Sequence, residues 1–503
     1  QRLIKLYFTV RSERNSPAGF MYVVDHHTAR HWKDMDVFQS FLGIFTIYLI
    51  NHQASTEQDI YVYTEVYEER QEGSEKLLVI HTGYSLNLKK ASVLADTVLL
   101  REEREGGITD TYVNGALYER HLYKDVANQA SLIVTPRSEG IYEVVGLLND
   151  THRIEPLAYS ERSAAGRIQH RISKVIVEDG IYALANEAGD QFEERASTLE
   201  KGSQPPPENF TIDLYFISDL KHTEKFKDNT KHIEYVTLFV LSVSLHLQQL
   251  TPPGSIVIKT IHGTYTRDLK YMKVMRDGRL LAEDTLKLLA NQTWKSDTVR
   301  RSDAVYLATG RDATYYHNGV LSSAVLGLAY VKGACNPRLK FAVGEDKGGP
   351  FSGVHTAVHE FGHLLGAHHD GVNQSITACR QQNGYIMSPI AGGTRNYLFS
   401  LCSKLAFREF LGSSSSNCLK DGKSQKGIAF LPYDNIAKNI SLINATKYCQ
   451  QYFPYSNASY DWDPTADVCS FRCKIAEKNG NSWHAELWAP NKVQCDATLK
   501  KRV

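Results

Sequence analysis

The spacing of apolar and polar residues in this 503-residue chain changes character along its length. From about Ile60 to Glu178 the pattern alternates in short runs, such as Lys76–His81 and Ala130–Val134, with a further run at Ile141–Leu148. A period of two sends successive side chains to opposite faces, so this stretch predicts half-buried strands. The alternation then lapses. Glu187 to Glu208 is charged, poor in large apolar residues and ends in Pro205-Pro206-Pro207, the composition of a linker. After it, Phe210–Asp219 reads as a strand and His232–Leu250 as a long helix stopped by Pro252-Pro253-Gly254. Ser255–Ile261 and Ala304–Leu307 read as strands, and Glu283–Ala290 as a helix. Strands alternating with helices predict an α/β domain.

One further helix stands out in this half. Val354, Ala357, Val358, Phe361, Leu364 and Leu365 recur at helical spacing and give it a buried side, with Ser352 placed to cap its start. Its other face carries HExxHxxGxxHD, from His359 to Asp370. Four residues advance a helix by about 400°, so His359 and His363 stack one turn apart, where two imidazoles can hold one ion. Glu360 sits beside them, placed to accept a proton from a water activated at the metal. Gly366 can adopt the left-handed conformation that ends a helix and turns the chain sharply. That turn brings His369 to the metal as a third ligand. Three histidines leave one tetrahedral position open, which marks a catalytic zinc site.

Composition narrows the class. The chain is 42% hydrophobic and 22% charged, ordinary for globular domains, and is long enough for two to four of them. A formal net charge of +1 recommends no nucleic-acid partner. All eight cysteines lie at or after Cys335, and seven N-x-[ST] sequons are present, at Asn149, Asn209, Asn291, Asn373, Asn439, Asn444 and Asn457. Together these fit disulfides, glycosylation and a secreted, extracellular protein. Val37–Ile50 is apolar but too short to span a bilayer, so stable membrane insertion is not expected. It has the size of a signal-peptide core, which makes 35–55 a signal peptide starting at Met35 and 1–34 upstream read-through; the alternative is a buried strand.

Two features join the histidines to a known family. Eighteen residues after His369 comes Met387, in Gly384-Tyr385-Ile386-Met387-Ser388-Pro389, which matches the Met-turn beneath the zinc of metzincins. Asp370, directly after the third histidine, is the mark of the adamalysin or reprolysin branch. The chain resembles that family, and within it the secreted salivary metalloproteases of ticks. The resemblance makes His368 a bystander. It implies a metzincin catalytic domain at 208–420, a mixed sheet with long helices and a zinc helix. It also implies a β-rich propeptide with linker at 56–207, where the alternative is an accessory β domain, and a short cysteine-rich module at 421–503. By the same resemblance Gly327, Leu328 and Ala329 belong to an edge strand to which extended substrate adds antiparallel, gripping it by its backbone. Cys335 pairs with Cys418 and Cys379 with Cys402. Asp213, Asp303 and Asp421 fall where relatives carry a structural Ca²⁺ site, suited to hard oxygen ligands.

The implied activity is zinc-dependent proteolysis of proteins, in host matrix or clotting, with Glu360 as general base. The alternative is a secreted binding protein acting through its cysteine-rich tail. A zinc aminopeptidase, which takes a distant Glu as third ligand, disagrees with the third histidine. With no cysteine before Cys335, latency through a thiolate on the zinc is not available to the N-terminal region. That region is expected to inhibit by covering the cleft or by offering a carboxylate.

Overall fold

The run His232–Leu250 is rich in large apolar residues, more than one face can hold, and such a helix has to be enclosed. In the computed structural model of the chain it forms α1 (Asn229–Gln248), capped by the Asp228 carboxylate, which accepts from the Lys231 amide; fifteen of its residues are buried. The structure describes residues 59–68, 75–138, 140–157, 167–178, 180–185, 205–317, 319–372, 377–393, 395–420 and short stretches of the tail. The segments 1–34 and 35–55, most of the linker, and Asp421 lie outside the described residues.

Two sheets surround α1. The alternating N-terminal region forms a nine-stranded antiparallel sheet, from Ile60–Tyr63 to Gln169–Lys174. It buries its own core, which includes Leu78, Ile80, Leu86, Leu88, Leu132 and Val144. This sheet also lies close against α1. At Gly146, whose φ is +137°, an added Cβ would come within 3.1 Å of the Leu238 side chain on the helix.

The second sheet has thirteen strands. Those that position the site are β1 (Leu94–Arg104), β2 (Gly107–Asn114), β3 (Ile181–Leu184), β4 (Phe210–Ser218) and β5 (Gly254–Thr264), then β6 (Ala304–Thr309), β7 (Ala313–His317), β8 (Val320–Ala329) and β9 (Phe341–Glu345). They lie in the order β7-β8-β9-β6-β4-β5-β1-β2. From β9 through β5 the pairs are parallel. Parallel neighbours need crossovers, which α1 supplies between β4 and β5, and α2 (Ala282–Thr293) between β5 and β6. With helices on both faces, the central strands are buried on both sides, and every residue of β6 and β9 is buried.

The α/β reading with a β-rich region ahead of it is what the chain adopts, and the helices and strands expected after residue 208 are all present, shifted by a few residues at their ends. The two regions are not built separately, however. Strand β1, from the N-terminal region, adds in parallel to β5 and extends the central sheet, with β2 antiparallel beyond it. Disulfides join Cys335 to Cys418, Cys379 to Cys402 and Cys449 to Cys473. No described helix is long and apolar enough to cross a membrane.

Candidate metal centre and substrate cleft

The helix α3 (Val354–Leu364) carries the first two histidines, and a buried acid fixes its start. Asp346 accepts from Tyr235 Oη at 2.8 Å and from the Gly353 amide at 3.0 Å, and its carboxylate lies 2.9 Å from His222 Nε2. Gly353 is therefore the N-cap residue, and Ser352 is not: the Ser352 hydroxyl accepts from the Lys347 amide at 3.3 Å instead. The buried Asp346 carboxylate, held by two other elements, takes the Gly353 amide, and the Ser352 hydroxyl caps no amide of the helix. At the other end Gly366 takes φ +106°, and its amide closes on the His363 carbonyl at 2.8 Å. The chain then reverses and carries His369 back under the helix.

The three Nε2 atoms converge. His359 and His363 are 3.0 Å apart at Nε2, and His363 and His369 3.2 Å. His359 Nδ1–H donates to the Ile386 carbonyl at 2.6 Å, and His363 Nδ1–H to the Ala367 carbonyl at 2.8 Å. With the outer nitrogens protonated, the inner ones carry lone pairs, and two lone pairs cannot hydrogen-bond to each other. Burial also holds all three imidazoles neutral, pushing His359 and His363 well below their ordinary value and His369 down to about 4. Neutral imidazoles, fixed from behind by backbone carbonyls, are the donor set for zinc. Tetrahedral Zn–N bonds of about 2.05 Å would place the nitrogens roughly 3.3 Å apart, close to the spacing seen. The residues fit the ion. Among the described residues this is the one His/Cys/Asp/Glu group with such geometry.

Glu360 is fully buried, and neither carboxylate oxygen has a hydrogen-bond partner in the protein. Burial alone raises its pKa well above the ordinary carboxyl range. Two glycines make room around it. An added Cβ at Gly327 on β8 would press into the Glu360 carboxyl, and one at Gly362 would strike Met387 Sδ beneath the helix. Met387 is itself wholly buried, and its carbonyl accepts from the Asp370 amide at 2.8 Å. Asp370, raised to about 6 by burial, accepts from Ser400 Oγ at 2.6 Å, which ties the third histidine to the start of α4 (Leu401–Gly412). His368 is exposed and takes no part in the cluster.

Residues 276–422 match the family described as Reprolysin (M12B) family zinc metalloprotease. These residues form a reprolysin-type zinc metalloendopeptidase domain. The chain is 24% identical over 323 residues to "Venom metalloproteinase antarease TserMP_A" of Tityus serrulatus, spanning 60% of this chain and 79% of that protein. It is 26% identical to "Venom metalloproteinase BumaMPs1" of Olivierus martensii, over 56% of this chain and 72% of that one. "Snake venom metalloproteinase fibrolase" of Macrovipera lebetinus shares 27% identity over 41% of this chain and 95% of its own length. The family's dependence on zinc agrees with the donor set, and its substrates are proteins.

The strand expected at the sheet edge is not an edge in this structure, because it is paired on both sides. Gly327, Leu328 and Ala329 pair on one side with Gly344, Val343 and Ala342 of β9, and on the other with Tyr182, Ala183 and Leu184 of β3. The Tyr182 ring stacks on His359 with centroids 3.8 Å apart, and its hydroxyl shares a hydrogen bond of 2.7 Å with His355 Nδ1. Nothing in the sequence marked Tyr182, which sits in a short run of a region without motifs. His355 could have been noticed, since it lies one turn before His359 on the same helix face. Away from the cleft, Asp213 and Asp303 are adjacent: the Asp213 amide donates to Asp303 Oδ2 at 2.9 Å, and Lys259 Nζ stands 3.6 Å from Asp213 Oδ2.

Proposed function

We propose that the chain is the precursor of a secreted endopeptidase that cuts extracellular host proteins, of matrix or haemostasis, with His359, His363 and His369 as zinc ligands and Glu360 as general base. The observation that carries the mechanism is the unpartnered Glu360 carboxylate, buried beside three convergent imidazole nitrogens. Zinc, when bound there, supplies Lewis acidity that polarises a carbonyl and acidifies water. The histidines hold their lone pairs inward. Glu360 takes the proton from the attacking water and returns it to the departing amine, a role its freedom from other hydrogen bonds permits. The side of β8 away from β9, which β3 covers in this structure, grips an extended substrate by its backbone once β3 leaves it, which suits an enzyme acting on many sequences.

Secretion is supported by the disulfides and by relatives whose names place them in venom. The segments 35–55, 56–207 and 421–503 are then leader, propeptide with linker, and a small cysteine-rich module. We further assign a structural Ca²⁺ to Asp213 and Asp303, completed by Asp421; the adjacency of the two residues, with the Asp213 amide donating to the Asp303 carboxylate, supports it, and Lys259 beside Asp213 opposes it. Glu360→Gln tests the mechanism. It should keep one zinc per chain by metal analysis and an unchanged melting temperature, while turnover of casein falls by ~10²-fold or more. Near-wild-type turnover would remove Glu360 from the mechanism. Profiling new N-termini in plasma and matrix treated with the activated chain tests the substrate class.

A further inference from the structure

The edge on which a substrate is to be gripped is already taken by the chain itself. Strand β3 lies in the slot between β8 and the segment that follows Met387, held from both sides. On one side it pairs with Val325–Ala329, and the Ala185 amide donates to the Ala329 carbonyl at 3.1 Å. On the other, the Tyr182 amide donates to the Pro389 carbonyl at 2.9 Å and the Ala391 amide to the Gly180 carbonyl at 3.1 Å, with an antiparallel bridge from Ile181 to Ile390. Its direction is parallel to β8. A substrate adding antiparallel would run the other way, so β3 follows the same track with its backbone reversed. Such an occupant excludes substrate without presenting a correctly oriented peptide bond.

Tyr182 gives the slot a side-chain pocket. The residue is 3% exposed, its ring lies flat on the His359 imidazole at an interplanar angle of 18°, and its hydroxyl ends at His355. The pocket is therefore immediately beside the metal ligands, deep enough for a phenol, and closed by a polar atom. An aliphatic side chain there would bury His355 Nδ1 without a partner, which costs about 1–3 kcal/mol. A ring would keep the stacking but only a phenol would keep both.

We propose that Ile181–Leu184 is an intramolecular plug lying backwards in the substrate cleft, and that the pocket filled by Tyr182 is the pocket that selects a substrate side chain, preferring tyrosine through His355. The proposal rests on the protease reading of the same site. It also accounts for latency in a chain whose N-terminal region has no cysteine: closure comes from strand pairing and a stacked ring rather than from a thiolate. Tyr182 acts by occupying space, and His355 is a specificity residue rather than a catalytic one.

The test measures binding, not turnover, so that its failure is distinguishable from failure of the protease reading. Zinc-loaded full-length E360Q and the double variant E360Q/Y182A are titrated with fluorescent octapeptides carrying Tyr, Phe, Leu or Ala at one fixed central position. Fluorescence anisotropy reports the affinity, and hydrogen exchange follows the amides of residues 325–329. Removing the ring should tighten binding of the Tyr peptide at least tenfold and speed exchange of those amides. The Tyr peptide should then bind about fivefold or more tighter than the Phe peptide, a gap that His355→Leu closes. Equal affinity in the two chains overturns the plug, and indifference to Tyr, Phe, Leu or Ala overturns the pocket. If E360Q/Y182A does not fold, unaltered E360Q is compared before and after cleavage in the linker. Unchanged exchange at 325–329 and unchanged peptide affinity after the cut would likewise overturn the plug.

Discussion

Gly327→Ala separates catalysis from metal binding, because the glycine faces the carboxyl of Glu360 and no histidine. An added Cβ would lie 2.8 Å from the Thr356 methyl and 2.9 Å from the Glu360 carboxyl carbon, with one carboxylate oxygen closer still. Carbon contacts prefer about 3.5–4.0 Å, so the carboxyl has to retreat by ~1 Å. Displacement of a reacting group on that scale costs on the order of 10²-fold in rate, or about 2.7 kcal/mol of barrier. Gly327 does not have positive φ, so backbone strain adds nothing; overpacking should lower stability by roughly 1–3 kcal/mol. The assay is steady-state cleavage of a quenched fluorescent peptide by linker-cleaved chains, alongside zinc content and thermal melting. Zinc should stay at one per chain while kcat falls about a hundredfold. Since the substitution acts through Glu360, adding it to E360Q should cost little more, a non-additivity expected only of groups acting as one. A kcat within about threefold of wild type, or full additivity with E360Q, would show that Gly327 does not set the position of the base.

Two further outcomes concern stability. Chain-entropy reasoning gives the Cys335–Cys418 bridge, spanning 83 residues, about 4.5 kcal/mol and the Cys379–Cys402 bridge, spanning 23, about 3.4 kcal/mol, so C335S/C418S should melt below C379S/C402S; the reverse order would refute the ranking. Burial raises Asp303 from its ordinary 3.8 to about 7, so the folded state holds that proton more tightly than the unfolded one. Its contribution is fully present below 3.8 and is lost as pH rises through 7, so a calcium-free chain should lose melting temperature between pH 5 and 8 more steeply than D303N does. Millimolar calcium should offset that loss at pH 8, where it favours the ionised carboxylate; a melting temperature indifferent to calcium at pH 8 would remove the site.

What could be read in advance follows from which interactions are local. The zinc helix was legible because its message is written in one turn: an i, i+4 pair of histidines, the intervening glutamate and an apolar face opposite. Gly366 was legible for the same reason, since a residue that must take φ +106° leaves few choices. The long helix was readable from its apolar periodicity and the Pro252-Pro253-Gly254 stop, though nothing in that pattern told that the second surface covering it would be the N-terminal sheet. Ser352 misled, because its hydroxyl accepts from the Lys347 amide and the helix starts one residue later, at Gly353, whose amide is held by the buried Asp346. The glycines at 327 and 362 were visible as letters, but their reason is a neighbour brought in by tertiary packing, the Glu360 carboxyl in one case and Met387 in the other.

The cleft was the hardest part to read, and the reason is physical. A strand that pairs through its backbone needs no particular side chains, so Ile181–Leu184 carries almost no signal in a four-residue run. Its meaning comes from two partners far along the chain, β8 and the segment after Met387. Elsewhere β1 and β2 also bind the N-terminal region to the central sheet. That arrangement has a consequence for activation. Cutting the linker frees the end of β3 but leaves β1 paired with β5 at Leu94 and from Leu99 to Glu103, so cleavage alone need not release the N-terminal region. Opening the cleft requires only that four residues leave β8, a far smaller change than parting the two sheets. On the proposal made above, the chain becomes active while the region that folded with it stays attached, and departure of Ile181–Leu184 from β8 is the step that admits substrate.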